Sequence, residues 1–305
     1  MSQTALILGA RGRFGKHCAA AFEASGWTIK RYARGTDMIA AALGCDLIVN
    51  GLNPPNYQNW QTEIPRITDE VLAAAKASGA TILVPGNVYN FGTAMGPWSA
   101  DNEQTPNSLK GRIRVAMERQ YAEAAGEGIR TILLRAGDFI DTDASGGFFD
   151  LIIAKPSAKG KIKYPGQTDI DHAWAYLPDL ARAAVALAEQ RADLPAYADV
   201  PFEGWTLSGD ELAQAIGRVT GIKTRAAKMS WLPIRIASPI WKLGRELLEM
   251  RYLWDTAHRL DGSKFAMLVP DFQPTPIAQA IATALPADVY PDKAVVAAGG
   301  FARAD

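Results

Sequence analysis

The sequence predicts an α/β protein, a doubly wound parallel sheet with a smaller C-terminal substrate lobe. Two features carry this expectation. Apolar runs of strand length alternate with helix-favouring segments through the first half, and the runs are continuous instead of alternating, as strands buried on both faces require. A glycine-rich turn also follows the first run directly and opens into a helical pattern.

Taken in order, strands are predicted at residues 5–9, 27–32, 46–50, 81–84 and 131–135. Between them, residues 16–25, 68–78 and 109–125 are rich in Ala, Glu, Lys and Arg and read as helices. After about residue 140 the rhythm breaks: residues 141–147 and the Gly/Pro/Lys-rich 155–166 do not read as sheet core. A strong helical pattern returns at 178–189, with Pro178 in the first turn and Asp179 near the positive end of the dipole, and belongs back on the sheet. Ser208 and Glu211 form a capping-box signal for a helix over 208–217. The expected division is therefore interleaved: residues 1–150 plus about 173–200 form the sheet domain, and about 151–172 plus 201–305 form the second lobe.

The 305 residues carry 32 Lys plus Arg against 32 Asp plus Glu, a formal net charge of +0, and no block of like charge stands out. A nucleic-acid partner or an anionic-membrane footprint over the whole molecule is therefore not expected, and the partner should be a small molecule. Cys18 and Cys45 lack metal or disulfide spacing and read as core residues. His17, His172 and His258 show no paired ligand spacing, so no metal is expected. The first strand pattern begins at once, without the charged and apolar regions of a secretory leader, so a cytoplasmic location is expected. Residues 231–254 are apolar but broken by Pro233, Arg235, Pro239, Lys242 and Arg245, which excludes an uninterrupted membrane span of about 20 residues. Their aromatics read as core packing or as the face of a homodimer.

The turn Gly9-Ala-Arg11-Gly12-Arg13-Phe14-Gly15 lies between a buried strand and a helix N-terminus. That arrangement offers unpaired backbone N–H groups and a positive dipole end to a pyrophosphate, and glycines let the backbone come close. The second strand ends Arg31-Tyr-Ala-Arg34, without the acid that would take the ribose hydroxyls of NAD. Arg34 and Arg11 could instead fork around a 2′-phosphate, so NADP(H) is favoured over NAD.

Several further motifs stand in a familiar order: Asn87-Val-Tyr-Asn-Phe-Gly92 after the fourth strand, residues 110–118, Leu134-Arg-Ala-Gly-Asp-Phe139, Tyr176-Leu-Pro-Asp-Leu-Ala181 and Pro274-Thr-Pro-Ile277. With the glycine turn, they make nearly the whole chain resemble the extended and atypical short-chain dehydrogenase/reductases, the NAD(P)-dependent epimerase/dehydratase family. The resemblance implies a Rossmann domain around the cofactor, with Asn50, Gly51 and Leu52 at the end of the third strand lying along it, and a C-terminal lobe closing over the substrate. It also marks a departure. The family's active-site tyrosine and lysine fall on Lys110 and Arg114, if the family's downstream Glu is matched to Glu118, and its serine falls on Pro85.

Lys110 and Arg114 share a helix face at i, i+4. A desolvated lysine beside another cation can act as acid or base, so both are candidate catalytic residues. Asn87 and Tyr89 follow a strand end where ligands gather in such sheets, and Tyr89 could supply a phenolic proton or simply pack. Asp138, Phe139 and His172 are candidate substrate residues. The sequence thus points to an NADP(H)-dependent oxidoreductase acting on a small carbonyl or alcohol; a sugar-nucleotide epimerase or dehydratase, and a redox sensor that binds NADP(H) without turnover, are the alternatives.

Overall fold

The computed structural model describes residues 2–54, 59–143, 145, 147–291 and 293. Ala144 and Gly146 of the irregular loop, and residues 294–305 of the expected substrate lobe, lie outside that set.

The central sheet holds β1 (Thr4–Leu8), β2 (Thr28–Arg31), β3 (Leu47–Asn50), β4 (Thr81–Gly86), β5 (Thr131–Arg135) and β9 (Tyr197–Pro201) in the order β2-β1-β3-β4-β5-β9. Every pairing in it is parallel. The apolar runs are continuous because both faces are covered. Ala5, Ile7, Leu47, Val49 and Leu134 pack toward α1 (Arg13–Ala24) and α5 (Leu177–Glu189). Their neighbours Leu6, Leu8, Ile48, Ile82 and Leu133 pack toward α2 (Met38–Ala42), α3 (Trp60–Ser78) and α4 (Leu109–Ala124). Alternate residues thus serve opposite cores, and only a run without polar gaps satisfies both.

The helix at 177–189 does return to this domain, packing on α1, and β9 extends the sheet beyond β5. The helix expected over 68–78 begins earlier, at Trp60, and carries Pro65 inside it, one turn beyond the start, where the missing N–H leaves the Gln61 carbonyl without its intrahelical donor. Ser208 caps α6 (Gly209–Thr220) as its sequence implies: its hydroxyl accepts from the Glu211 amide while the Glu211 carboxylate accepts from the Ser208 amide at 2.8 Å.

The second lobe is built on β6 (Asp138–Ile140), β8 (Ala173–Tyr176) and β10 (Trp205–Thr206), in the order β10-β8-β6, and on a parallel pair, β7 (Lys161–Tyr164) with β11 (Arg225–Lys228). Strand β7 lies inside the segment expected to be irregular. Its Lys-Ile-Lys-Tyr alternation buries Ile162 and Tyr164 and exposes both lysines, a period-two signal too short to stand out among the glycines and prolines around it. α6 and α10 (Ile277–Ala284) close this core. Between them in the chain lie α7 (Leu232–Ala237), α8 (Lys242–Glu249) and α9 (Ser263–Leu268).

Candidate functional site

A cleft of about 960 Å³ opens along the C-terminal ends of β1, β3, β4 and β5 and runs between the sheet and the second lobe. Its floor begins at the glycine turn. Gly9 has φ +71°, and a Cβ there would lie 2.6 Å from the Gly51 carbonyl oxygen. A Cβ on Gly51 would in turn approach the Leu8 carbonyl at 2.9 Å, and one on Gly15 would collide with the Gly9 carbonyl. The turn and the β3 end are therefore packed backbone against backbone, tightly enough that only glycine fits. Gly9, Arg11, Gly12, Arg13 and Phe14 line the cleft, while Gly15 lies buried behind them at the helix start. Gly12 is the N-cap of α1, with no side chain supplying a cap, so the first amides of the helix face the cleft.

Arg11 and Arg34 are exposed on the cleft wall. Arg34 donates to the Asn53 carbonyl at 3.4 Å. The first acid after β2, Asp37, caps α2 by accepting from the Ala40 amide, so its carboxylate serves the helix. Gly51 and Leu52 line the cleft with Asn50, whose carboxamide is engaged by protein: Nδ2 donates to the Tyr121 hydroxyl at 3.1 Å and Oδ1 accepts from the Leu52 amide at 3.2 Å. Asn50 fixes the path of the β3 end. Burial pushes the Tyr121 hydroxyl up to about 12 against the lowering effect of Asn50 and Thr68, so it stays a neutral donor or acceptor.

At the β4 end, Asn87 and Tyr89 line the cleft, with Asn87 Oδ1 accepting from the Tyr89 amide at 3.0 Å. Behind this turn sits a network that sequence reasoning did not single out. Arg135, fully buried at the end of β5, donates to the carboxylates of Glu118 at 2.7 Å and Asp199 at 2.5 Å and to the Asn87 carbonyl at 2.6 Å. Burial works against its charge, but the two carboxylates outweigh burial and raise its pKa. Asn90 and Gln104 extend the network to Glu118. The signal was an arginine closing an otherwise apolar strand, since a charge on a two-face-buried strand needs paired partners.

Lys110 and Arg114, expected to share one helix face, part company. Arg114 lines the cleft, lies over the Trp60 ring at 4.8 Å and donates to Asn53 Oδ1 at 3.3 Å. Lys110 is only 2% exposed and does not line the cleft. Its ammonium is held by Glu246 and by Glu249, the latter at 2.5 Å, and its amide donates to Glu249 at 2.9 Å. Two carboxylates from α8 surround it, in place of the cationic neighbourhood that the helix-face argument expects. The same helix sends Leu243 and Leu247 into the cleft.

Asp138 and Phe139 line the cleft where β5 gives way to β6. The Asp138 carboxylate lies 2.8 Å from His172 Nε2 and accepts its hydrogen bond. His172 is buried just behind, stacked on Trp254 at 4.3 Å and edge-on to His258 at 4.5 Å. Burial, reinforced by His172, pushes the His258 imidazolium down to about 3, against the Thr256 carbonyl that its Nδ1 meets at 2.8 Å. Near the helix start, His17 Nε2 meets Asp141 at 2.7 Å and Lys16 reaches Asp143 at 2.5 Å, tying the β6 end to α1. No group of three or more His, Cys, Asp or Glu side chains among the described residues could hold a metal ion.

No protein-family model matches the chain, and no curated protein matches it. Solved structures do. A UDP-glucuronic acid 4-epimerase from Bacillus cereus, in complex with UDP-glucuronic acid and NAD, superposes with a TM-score of 0.72 over 95% of this chain and 98% of its own, at 14% identity. The fold is that of the nucleotide-sugar epimerases. A UDP-glucose 4-epimerase from Brucella ovis in complex with NAD gives 0.70 over 93% and 97% at 17% identity. RMD from Pseudomonas aeruginosa, complexed with NADPH, gives 0.67 over 93% and 98% at 15% identity. Against this epimerase fold the cleft occupies the crevice at the strand ends, where open α/β sheets bind their ligands.

Proposed function

We propose that the chain is an NADP(H)-dependent oxidoreductase of the extended short-chain dehydrogenase/reductase type, with a sugar-nucleotide or other small carbonyl-bearing substrate held between Asp138, Phe139 and α8. The observation that carries the reading is the glycine cradle. Gly9, Gly12 and Gly51 let the turn and the β3 end pack backbone against backbone, and that close packing supports a pyrophosphate site where the uncapped α1 N-terminus meets the cleft. Arg11 and Arg34 on the adjoining wall suit a 2′-phosphate. When bound, the nicotinamide supplies hydride transfer. The chain's own residues must then bind, orient and handle the proton. Tyr89 lines the cleft and carries a phenolic proton that it could offer to a carbonyl oxygen, while Asp138, braced by His172, lines it as an acceptor for a substrate hydroxyl.

A sugar-nucleotide substrate draws support from the neighbours: the B. cereus epimerase that shares this fold over 95% of the chain is complexed with UDP-glucuronic acid. A second reading, binding of NADP(H) without turnover, is favoured by one observation: the lysine at the family's tyrosine position is enclosed by Glu246 and Glu249. Calorimetric titration with NADPH and NADH, followed by turnover with a panel of carbonyls and UDP- and GDP-sugars, tests both. NADPH binding with turnover of any panel member supports the enzyme; NADPH binding without turnover supports the sensor. Failure to bind either cofactor refutes both.

A further inference from the structure

The zero net charge conceals a segregation. Residues 152–168 and 212–245 together hold eleven of the 32 Lys and Arg and not one Asp or Glu. In the fold these two segments come together: β7 and β11 pair, placing Lys161 beside Arg225 on their exposed face, and Trp231 Nε1 donates to the Pro165 carbonyl at 2.5 Å to join this sheet to α7. The basic sheet is thus continuous with a short helical hairpin, α7 and α8.

That hairpin presents large apolar side chains outward. Leu232 is 59% exposed, Ile236 71%, Ile240 93% and Trp241 41%. Single exposed aliphatics are ordinary on a protein surface, but four within ten residues, flanked by Arg235, Lys242 and Arg245, form a patch that calls for a partner.

We propose that this face docks peripherally on an anionic lipid bilayer, with the Pro239-Ile240-Trp241 tip entering the headgroup boundary. Two observations select a bilayer. The charge is single-signed and surrounds an apolar tip carrying a tryptophan, the pairing that anionic headgroups over an acyl layer reward. Several backbone groups at the tip are also paired from within, which lowers the cost of entering an apolar medium. The Ile240 and Trp241 amides donate to the Ala237 carbonyl, and Arg245 donates to the carbonyls of Ser238 at 3.2 Å and Pro239 at 3.0 Å. Acidic groups near this face are already engaged: Glu246 and Glu249 turn inward to Lys110, and Asp255 lies within 3.7 Å of Lys228 and 3.8 Å of Arg251. No helix among the described residues is long and apolar enough to cross a membrane, so the contact is a surface one. Because α8 also sends Leu243 and Leu247 into the cleft, the docked face and the cleft wall are two sides of one helix.

Cosedimentation of the full chain with phosphatidylcholine vesicles, with and without phosphatidylglycerol, tests the assignment. Binding is expected on the anionic vesicles, with roughly ten-fold or greater loss on neutral ones and a further fall at high salt, where the screening length shrinks. Ile236→Asp with Ile240→Asp should weaken it by a similar factor. Lys161→Gln with Lys163→Gln, which leaves the apolar tip intact, should do the same through charge alone. Melting curves of both variants should match the parent, because the altered side chains are exposed. Absence of binding to anionic vesicles overturns the proposal, as does binding that both variants retain. A dimer in light scattering that the isoleucine variant dissolves would assign the face to a second copy of the chain and equally overturn it.

Discussion

His258 should make this fold sensitive to mild acid. The imidazole is 2% exposed, stacks on Trp98 at 4.8 Å, and stands edge-on to His172. Burial and the His172 neighbour hold its pKa at about 3, whereas the unfolded chain titrates at 6.5. The folded protein therefore keeps the ring neutral while the unfolded chain takes up a proton as pH falls below 6.5. Since the unfolded state binds more protons across that window, stability declines with falling pH, starting near 6.5 and levelling off near 3. At 1.36 kcal/mol per pH unit, the loss between pH 7 and pH 4.5 is about 2 to 3 kcal/mol, a large share of the stability of an ordinary domain. Urea denaturation at pH 7, 5.5 and 4.5 measures it, and His258→Gln isolates it. The substitution lowers stability at every pH, but the difference between variant and parent should narrow by that 2 to 3 kcal/mol on acidification. Parallel pH profiles for the two proteins would refute the reasoning and place the acid lability elsewhere.

Arg135→Met should cost about 3 to 5 kcal/mol in urea denaturation, because it strands Glu118 and Asp199 in the interior, and should also free the Asn87 turn and weaken cofactor binding. Gly12→Val should abolish cofactor binding by calorimetry and lower the melting temperature modestly, since Gly12 lines the cleft at the helix start and its Cβ would press on the Gly9 carbonyl at 3.1 Å; retained binding of either cofactor would remove the glycine-turn argument. Arg34→Ala should weaken NADPH by roughly ten-fold to a hundred-fold, the worth of a lost charged hydrogen bond, and leave NADH unchanged; equal affinities for the two cofactors in the parent would remove the 2′-phosphate assignment. Lys110→Met should lower stability by stranding Glu246 and Glu249, which are part-exposed and so limit the loss to about 1 to 3 kcal/mol.

The sheet was legible because its physics is local. A strand buried on both faces has to be apolar without interruption, so the segments at β1, β3, β4 and β5 announce themselves, and the glycine turn marks where the first of them ends. The second lobe was not legible in the same way. β10 is two residues long, β7 and β11 are four each and half exposed, and their pairing joins segments about 60 residues apart. Nothing local in Lys161–Tyr164 distinguishes a strand from a loop until Arg225–Lys228 arrives beside it.

The site divides along the same line. Gly9, Gly12 and Gly51 could be read from sequence because close backbone packing leaves a compositional mark. Lys110 could not be read so, because its environment comes from α8, more than 130 residues later in the chain. The i, i+4 spacing placed Lys110 and Arg114 on one helix face, but that face is wide enough for the two to meet different neighbours: Arg114 reaches Asn53 and Trp60 on the cleft wall, Lys110 the carboxylates of Glu246 and Glu249. At the start of α4, then, Lys110 fastens α8 to the sheet domain. Among the candidate side chains that line the cleft, Asp138 is held from behind by His172, whose imidazole is stacked on Trp254, a bracing that joins β6 to β8 and could not be read from local spacing.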